Sequence, residues 1–301
     1  MSAPAVAITM VRNESFMLPR WLRYYSGQLG AENLIVLDDN STDGSTSHLD
    51  VSVLRVPRIV PPRSGSPDEI RNAVQFDGRR TALVNNLARG LLQYVDTVIY
   101  VDVDEFLVPH PRTRLDLRGY LDRLDEPVVA GVGLNLLHQP SIEGPFDPQR
   151  GILEQRRHVS YVTAMCKPAI KQVDADWLPG FHGCRHEYRV DPDLLLLHAK
   201  FFDVETALSS HRSRSSLFSE GVGGKSSTWR ISVDKFAEEM EGWQRVKNGQ
   251  GGQVPRLNVD NLDLDIVQER PPGSYRSKGA QLRGMRRSKL SRLPESLRDQ
   301  F

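Results

Sequence analysis

Hydrophobic positions change their period along the chain, and the changes mark a series of elements. "AVAITMV" (5–11) is a short β-branched run that predicts a strand. Met17, Leu18, Trp21, Leu22, Tyr25 and Leu29 then recur at helical spacing, and Gly30 ends the pattern. "NLIVLDDNS" (33–41) predicts a buried strand that breaks into a polar loop, and "VSVLRVP" (51–57) a third strand. Residues 60–68, "VPPRSGSPD", carry turn-forming residues and predict a loop. From 78 to 95, Leu83, Leu87, Leu91 and Val95 share one helical face, and 97–101 reads as the next strand. This β-α-β-α order predicts an α/β fold with a mostly parallel sheet. Ligands of such sheets sit beyond the carboxyl ends of the strands, which is where "LDDNS" and "VDVDE" fall.

The second half is less periodic. Residues 127–139 and 193–203 predict strands, and 233–246 an amphipathic helix. Between them, 140–191 is rich in Gly, Pro, His and Asp, which suits substrate loops. The pattern weakens from 248 onward. Residues 276–298 hold eight Lys or Arg and one acid, and predict a tail or a loosely attached helix. Leu282, Met285, Leu290, Leu293 and Leu297 fall partly on one face among these cations. That suggests peripheral contact with an anionic membrane surface. A solvated or oligomer-contacting tail is the alternative. The expected organisation is one main domain over 1–247, with halves 1–110 and 111–247, followed by a basic extension over 248–301.

Composition narrows the class. The 301 residues suffice to bury a sizeable core. A net charge of +1 argues against a nucleic-acid partner. No apolar run approaches the ~20 residues of a membrane span, and the first residues lack a signal-peptide pattern. With that start, the two cysteines, Cys166 and Cys184, read as reduced thiols in a cytoplasmic protein.

"DTVIYVDVDEFLVPHP" (96–111) puts three carboxylates at the end of an apolar strand. On an extended strand Asp102 and Asp104 point the same way, repel each other and resist burial. A hard divalent cation, Mg2+ or Mn2+, removes both problems and shares its shell with substrate phosphates. An acidic junction held by nearby Arg is the alternative. The phase of the strand points Glu105 away from the pair, as a structural partner for an Arg.

Here the sequence resembles the nucleotide-sugar-dependent glycosyltransferases of family 2 and their relatives, which have the GT-A fold. Three blocks carry the resemblance, in family order: "ITMVRNES", "VLDDNSTDGS" and "YVDVDEFL". It spans residues 5–110 firmly and 125–220 loosely. "DEFL" and the His-rich second half depart from the commonest pattern, so sugar and acceptor do not carry over. The resemblance implies a GT-A-type, Rossmann-like mixed sheet flanked by helices, with a nucleoside diphosphate sugar as donor. Asp39 would bond the base, uracil by its imide N–H; a plain helix cap or Asx-turn is its alternative. Arg79 would meet the diphosphate or base, with Arg80 as a near rival, and Arg12 is a further candidate. Asp102 would face the ribose or the metal shell, and Asp104 would ligate the metal.

Related enzymes often add a late His to the metal. His198 suits this role because it ends the apolar run "LLLLHAKFF"; His182, between Gly180 and Gly183, is the rival. Inverting transfer also needs a base to take the proton of the acceptor hydroxyl. Glu187 and then Asp176 lie in the interval where the family places it. The expected function is therefore metal-dependent transfer of a sugar to a hydroxyl on a glycan, a lipid-linked or a small-molecule acceptor. Two other classes stay open. A nucleotidyltransferase shares the sheet and the carboxylates, but "MVRNES" lacks the Gly-rich loop expected after its first strand. An adaptor of the same fold would bind nucleotide without turnover.

Overall fold

A computed structural model describes residues 4–57, 76–219, 231–247, 254–279 and 289–301. The first half alternates as its periodicity predicts. Strand β1 (Ala5–Val11) leads to helix α1 (Met17–Leu29), then come β2 (Leu34–Asp38), β3 (Ser52–Arg55), α2 (Phe76–Leu91) and β4 (Thr97–Tyr100). These four strands lie parallel in the order β3-β2-β1-β4. β1, β2 and β3 end level, with Val11 opposite Asp38 and Asp38 opposite Arg55, while β4 ends earlier, with Tyr100 opposite Ile8. Helix α1 buries Leu18, Trp21, Tyr24, Tyr25 and Leu29. It stops at Gly30, whose φ of 92° is open to glycine at little cost. The predicted loop at 60–68 lies outside the described residues.

The second half adds β5 (Glu105–Pro109), α3 (Leu117–Leu121), β6 (Val128–Leu137), α4 (Ile152–Gln155), β7 (His158–Tyr161), β8 (Ile170–Lys171), β9 (Gly183–Cys184) and β10 (Arg189–Phe201). The last elements are α5 (Val204–Ser219), α6 (Val233–Lys247), β11 (Val267–Arg270), β12 (Ser274–Ser277) and β13 (Leu290–Arg292). Strand β8 runs antiparallel between β4 and β6, and so joins the parallel half to the mixed half. Strand β10 pairs parallel with β6 and antiparallel with β5. The result is a mixed ten-stranded sheet flanked by helices, with a separate three-stranded sheet of β11, β12 and β9. All ten residues of β6 are buried, as expected of a central strand covered on both faces.

The loose basic helix expected over 276–298 is not what the described part forms. Ser274–Ser277 is a strand, and Leu290–Arg292 pairs antiparallel with β7 at the edge of the main sheet. Leu290, Leu293 and Leu297 are buried, so the apolar spacing read as a helical face serves a strand and the turn after it. Phe301 stacks on Phe106 with ring centroids 3.7 Å apart. Leu282, Met285 and the arginines between them lie outside the described residues. No described helix is long and apolar enough to cross a membrane. Cys166 and Cys184 are both free and buried.

Candidate functional site

Two loops meet at the carboxyl ends of β1 and β2. The Asn13 N–H donates to Ser41 Oγ (3.1 Å), and the Thr42 N–H donates to Asn13 Oδ1 (2.8 Å). Asp38 organises the second loop from within. It is buried, and accepts from the Ser41 N–H (2.7 Å) and the Thr46 hydroxyl (3.1 Å). Burial would raise its pKa; the bonds from Ser41 and Thr46, with Arg55 nearby, outweigh that and lower it. Asp38 thus closes this loop through its side chain. Asp39 is half-buried, with its N–H bonded to Val11 O (2.9 Å). Arg12 is half-buried at the end of β1.

The acidic motif is a turn, not a continuing strand. β4 ends at Tyr100, and the Glu105 N–H bonds Asp102 O (2.9 Å) before β5 begins. The same-side argument for an extended Asp102 and Asp104 therefore fails. So does the phase argument that sent Glu105 away from them. Glu105 is 1% exposed, and its Oε2 accepts from the Asp102 N–H (3.1 Å). Its partner is a lysine rather than an arginine: Lys167 Nζ lies 2.6 and 2.8 Å from its two oxygens. Lys167 also reaches Asp102 Oδ2 (3.3 Å), while Arg80 holds Asp102 Oδ1 (3.1 Å). Burial would raise the pKa of Asp102, yet Lys167 and Arg80 hold it well below the usual carboxylate range. Asp102, expected to ligate a metal, is occupied by two cations.

Asp104 and His198 do come together. The Ala199 N–H donates to Asp104 O (2.7 Å), which pins the turn to β10. His198 Nε2 then lies 3.5 Å from Asp104 Oδ2. On the other side of the ring, Nδ1 is 2.6 Å from the buried Asn135 Oδ1. An amide oxygen only accepts, so Nδ1 donates to Asn135, and Nε2 is the nitrogen that faces Asp104. Asp104, Glu105 and His198 each offer a ligand atom within 4.8 Å of the others. His182, the rival ligand, is not in that group. Its Nδ1 lies 2.7 Å from Ala164 O, and burial first, then Lys167, lowers its pKa to about 3.

Of the two basic candidates on α2, Arg80 reaches the turn and Arg79 is exposed. Arg80 also lies over the Phe181 ring (4.9 Å), which stacks on Tyr100 (3.9 Å). Asp176 pairs with Arg89 at 2.9 Å, and Glu187 is exposed in the loop before β10. No hydrogen bond or ion pair among the described residues joins either to the turn. Lys167 is the residue that sequence reasoning missed. The available signal was its position as the one charge in 159–170, "VSYVTAMCKPAI". A lone charge in an apolar run is buried only if paired. Gly133 positions it: a Cβ there would lie 2.4 Å from the Met165 carbonyl carbon and 2.6 Å from the Cys166 nitrogen.

No family model matches the chain, and no curated protein matches it. Among solved structures, a mycobacterial protein is 23% identical over 44% of this chain and 41% of its own, with a TM-score of 0.26. A mannosyltransferase from Pyrobaculum calidifontis, in complex with GDP-mannose and Mn2+, is 15% identical over 84% of this chain and 77% of its own (TM-score 0.35). Glucosyl-3-phosphoglycerate synthase from Mycobacterium tuberculosis, in complex with Mn2+, UDP and glucosyl-3-phosphoglycerate, is 21% identical over 44% of each chain (TM-score 0.26). The chain thus spans less than half the length of the first and third. Likenesses this distant decide nothing about the chemistry of this site.

Proposed function

We propose that the chain is a metal-dependent glycosyltransferase of the GT-A type. It moves a sugar from a nucleoside diphosphate donor, a UDP-sugar on the Asp39 reading, to a hydroxyl acceptor with inversion. The observation that carries this is the Asp104–His198 pair beside the paired loops of β1 and β2. Asp104 Oδ2 and His198 Nε2 face each other at 3.5 Å, and a divalent cation held by both would suit the arrangement. One nitrogen and one oxygen ligand suit manganese. Asp104 and His198 would hold the ion; Glu105, though near, has both oxygens taken by Lys167. When bound, the metal supplies charge neutralisation for the leaving diphosphate. The chain's own residues do the rest. Asp39 accepts from the base at the end of β2, and Arg12 supports it from β1. Arg80 and Lys167 keep Asp102 ionised at the floor of the site. Asn135 holds His198 in one tautomer.

The test combines manganese titration with nucleoside diphosphate binding and donor turnover. Wild type should bind a nucleoside diphosphate only with metal, and turn over its sugar donor. Asp104→Ala should abolish both without lowering the melting temperature. Asn135→Leu should raise the manganese concentration for half-saturation by about 10–100-fold, as loss of an outer partner of a metal-bound His does. Full activity after chelation sinks the metal reading. Metal-dependent binding with no turnover of any donor makes the protein an adaptor instead.

A further inference from the structure

His182 stays out of the metal group, yet the fold holds it beside the acidic turn with one ring nitrogen unused. It sits in a hairpin over 177–184. Trp177 bridges Cys184 antiparallel, and the Leu178 N–H donates to Gly183 O (2.9 Å). Pro179 and Gly180 form the centre of a turn closed by the Phe181 N–H on Leu178 O (2.8 Å), and Gly180 has a φ of 83°, which favours glycine. Both arms are anchored. The Asn85 side chain on α2 bonds the N–H and the carbonyl of Trp177 (2.9 and 3.0 Å). On the other arm β12 pairs with Gly183 and Cys184, and a Cβ on Gly183 would lie 2.4 Å from Tyr275 O. Phe181 has a φ of 58°, which is costly for an aromatic residue; it is 1% exposed and stacks on Tyr100. Such a conformation persists only where its surroundings enforce it, and here it fixes the placement of the next residue, His182.

The chemistry of the ring follows from its neighbours. Burial, then Lys167, then Arg276 disfavour the imidazolium, so the ring is neutral. A carbonyl oxygen only accepts, so the 2.7 Å contact with Ala164 O puts the proton on Nδ1 and leaves Nε2 as an acceptor. Nε2 makes no hydrogen bond with the described residues, and the ring is half-buried rather than sealed in the core. Asp102 acts on it too, which places the ring beside the acidic turn. A ring held neutral this firmly is a poor general base, since an effective one has its pKa near the working pH. It remains a constant hydrogen-bond acceptor, and the matching ligand group is a hydroxyl.

Sheet order says which hydroxyl. β1 and β2, whose loops form the nucleotide side in the proposed function, lie on one side of β4, and β8 lies on the other. The segment 163–167 leads into β8. His182 rests on its Ala164 carbonyl, while its Lys167 reaches Asp102 in the turn after β4. A nucleotide with its base at β2 and its diphosphate at that turn directs its sugar past β4, toward His182.

We propose that His182 Nε2 accepts a hydrogen bond from a hydroxyl of the transferred sugar, and so sets the affinity for a sugar nucleotide above that for the bare diphosphate. This rests on the glycosyl-transfer reading. His182 is then a residue of donor specificity, distinct from the metal-holding pair Asp104 and His198.

The test is calorimetry of the full chain with saturating Mn2+, comparing UDP with UDP-glucose and UDP-galactose, and GDP with GDP-mannose. In wild type at least one sugar nucleotide should bind more tightly than its parent diphosphate. His182→Ala should cut that gain by about 3–10-fold, the range of one neutral hydrogen bond. Its affinities for the parent diphosphate and for Mn2+ should stay unchanged. His182→Gln, whose amide oxygen can stand near the position of Nε2, should restore part of the gain. Three results overturn the proposal: sugar nucleotides that bind no better than their diphosphates in wild type, a gain kept in full by His182→Ala, or a loss shared equally by the parent diphosphate. A wild type that binds no nucleoside diphosphate with manganese removes the glycosyl-transfer reading itself, and this assignment with it.

Discussion

Lys167 and Glu105 form a buried pair in which one ammonium meets both oxygens of one carboxylate, at 2.6 and 2.8 Å, with neither side chain more than 2% exposed. The pair locks the turn between β4 and β5, because the same carboxylate holds the Asp102 N–H and the same lysine holds the Asp102 side chain. Its effect is on the shape of the site more than on stability. Two charges taken from water recover that cost only through good geometry.

Removing one partner should therefore be worse than removing both. Lys167→Met leaves Glu105 buried and uncompensated, at an expected cost of about 3–5 kcal/mol. The double substitution Lys167→Met with Glu105→Gln should recover at least half of that. The single variant should also regain stability as the pH falls. Without Lys167, burial raises the folded pKa of Glu105 above its unfolded value, so the folded state takes up the proton first. Denaturant unfolding of wild type, Lys167→Met and the double variant at pH 5 and pH 8 measures both effects. A double variant no more stable than the single one at pH 8 refutes the pairing account.

The parallel half was legible because its strands and helices have clean periods, and because β1, β2 and β4 end at polar segments. His198 beside Asp104 was legible for a related reason: an apolar run leading into a His implies a rigid strand, and that strand pairs with the one after the acidic turn. The failures are failures of phase. Reading "VDVDE" as a continuing strand reversed the side assigned to Glu105, since one turn changes the alternation. On α2 a one-residue shift rotates a side chain by about 100°, which separates exposed Arg79 from half-buried Arg80. Leu290, Leu293 and Leu297 fit a helical face by spacing, and only their partner β7 makes the first of them a strand residue. Lys167 is separated from Glu105 by 62 positions, and no local pattern joins them.

Gly133 gives a test of how Lys167 is placed. The segment 163–166 packs against β6 at this glycine, with the Val162 N–H on Gly133 O (2.9 Å) and the Gly133 N–H toward Cys166 Sγ (3.3 Å). An added methyl would meet the Met165–Cys166 peptide, which is backbone and cannot rotate away. Gly133→Ala should cost about 1–3 kcal/mol by overpacking. It should also shift Lys167 off Asp102, so manganese-dependent nucleotide binding should fall more than in an equally destabilised variant far from the site. Leu121→Ala, in α3, serves as that control. Equal losses in the two variants reduce Gly133 to a packing position.

The last prediction concerns Lys171, a buried cation whose partner is a carbonyl. Its Nζ donates to Ala175 O (3.0 Å) and lies 3.9 Å from the Trp177 ring. Burial lowers its pKa to about 8, although Asp174 and Asp176 pull the other way. The folded pKa is below the unfolded one, about 10.4. Between pH 8 and about 10.4 the unfolded chain thus holds a proton that the folded chain has released, and this group makes stability rise with pH. Cys166 and Cys184 oppose it. Burial pushes them up to about 12 and about 11, so they make stability fall once the unfolded thiols ionise above about 8.5. The raw pH profile mixes the two trends, and the difference between wild type and Lys171→Met isolates the lysine. Methionine keeps the stem over Trp177 and removes the buried charge, so the variant should be the more stable protein at pH 7. Its advantage should shrink by about 2–3 kcal/mol by pH 10.4, at about 1.4 kcal/mol per pKa unit. Denaturant unfolding of both proteins at half-unit steps from pH 7 to pH 10.5 measures it, and a difference that stays flat across that window overturns the assignment.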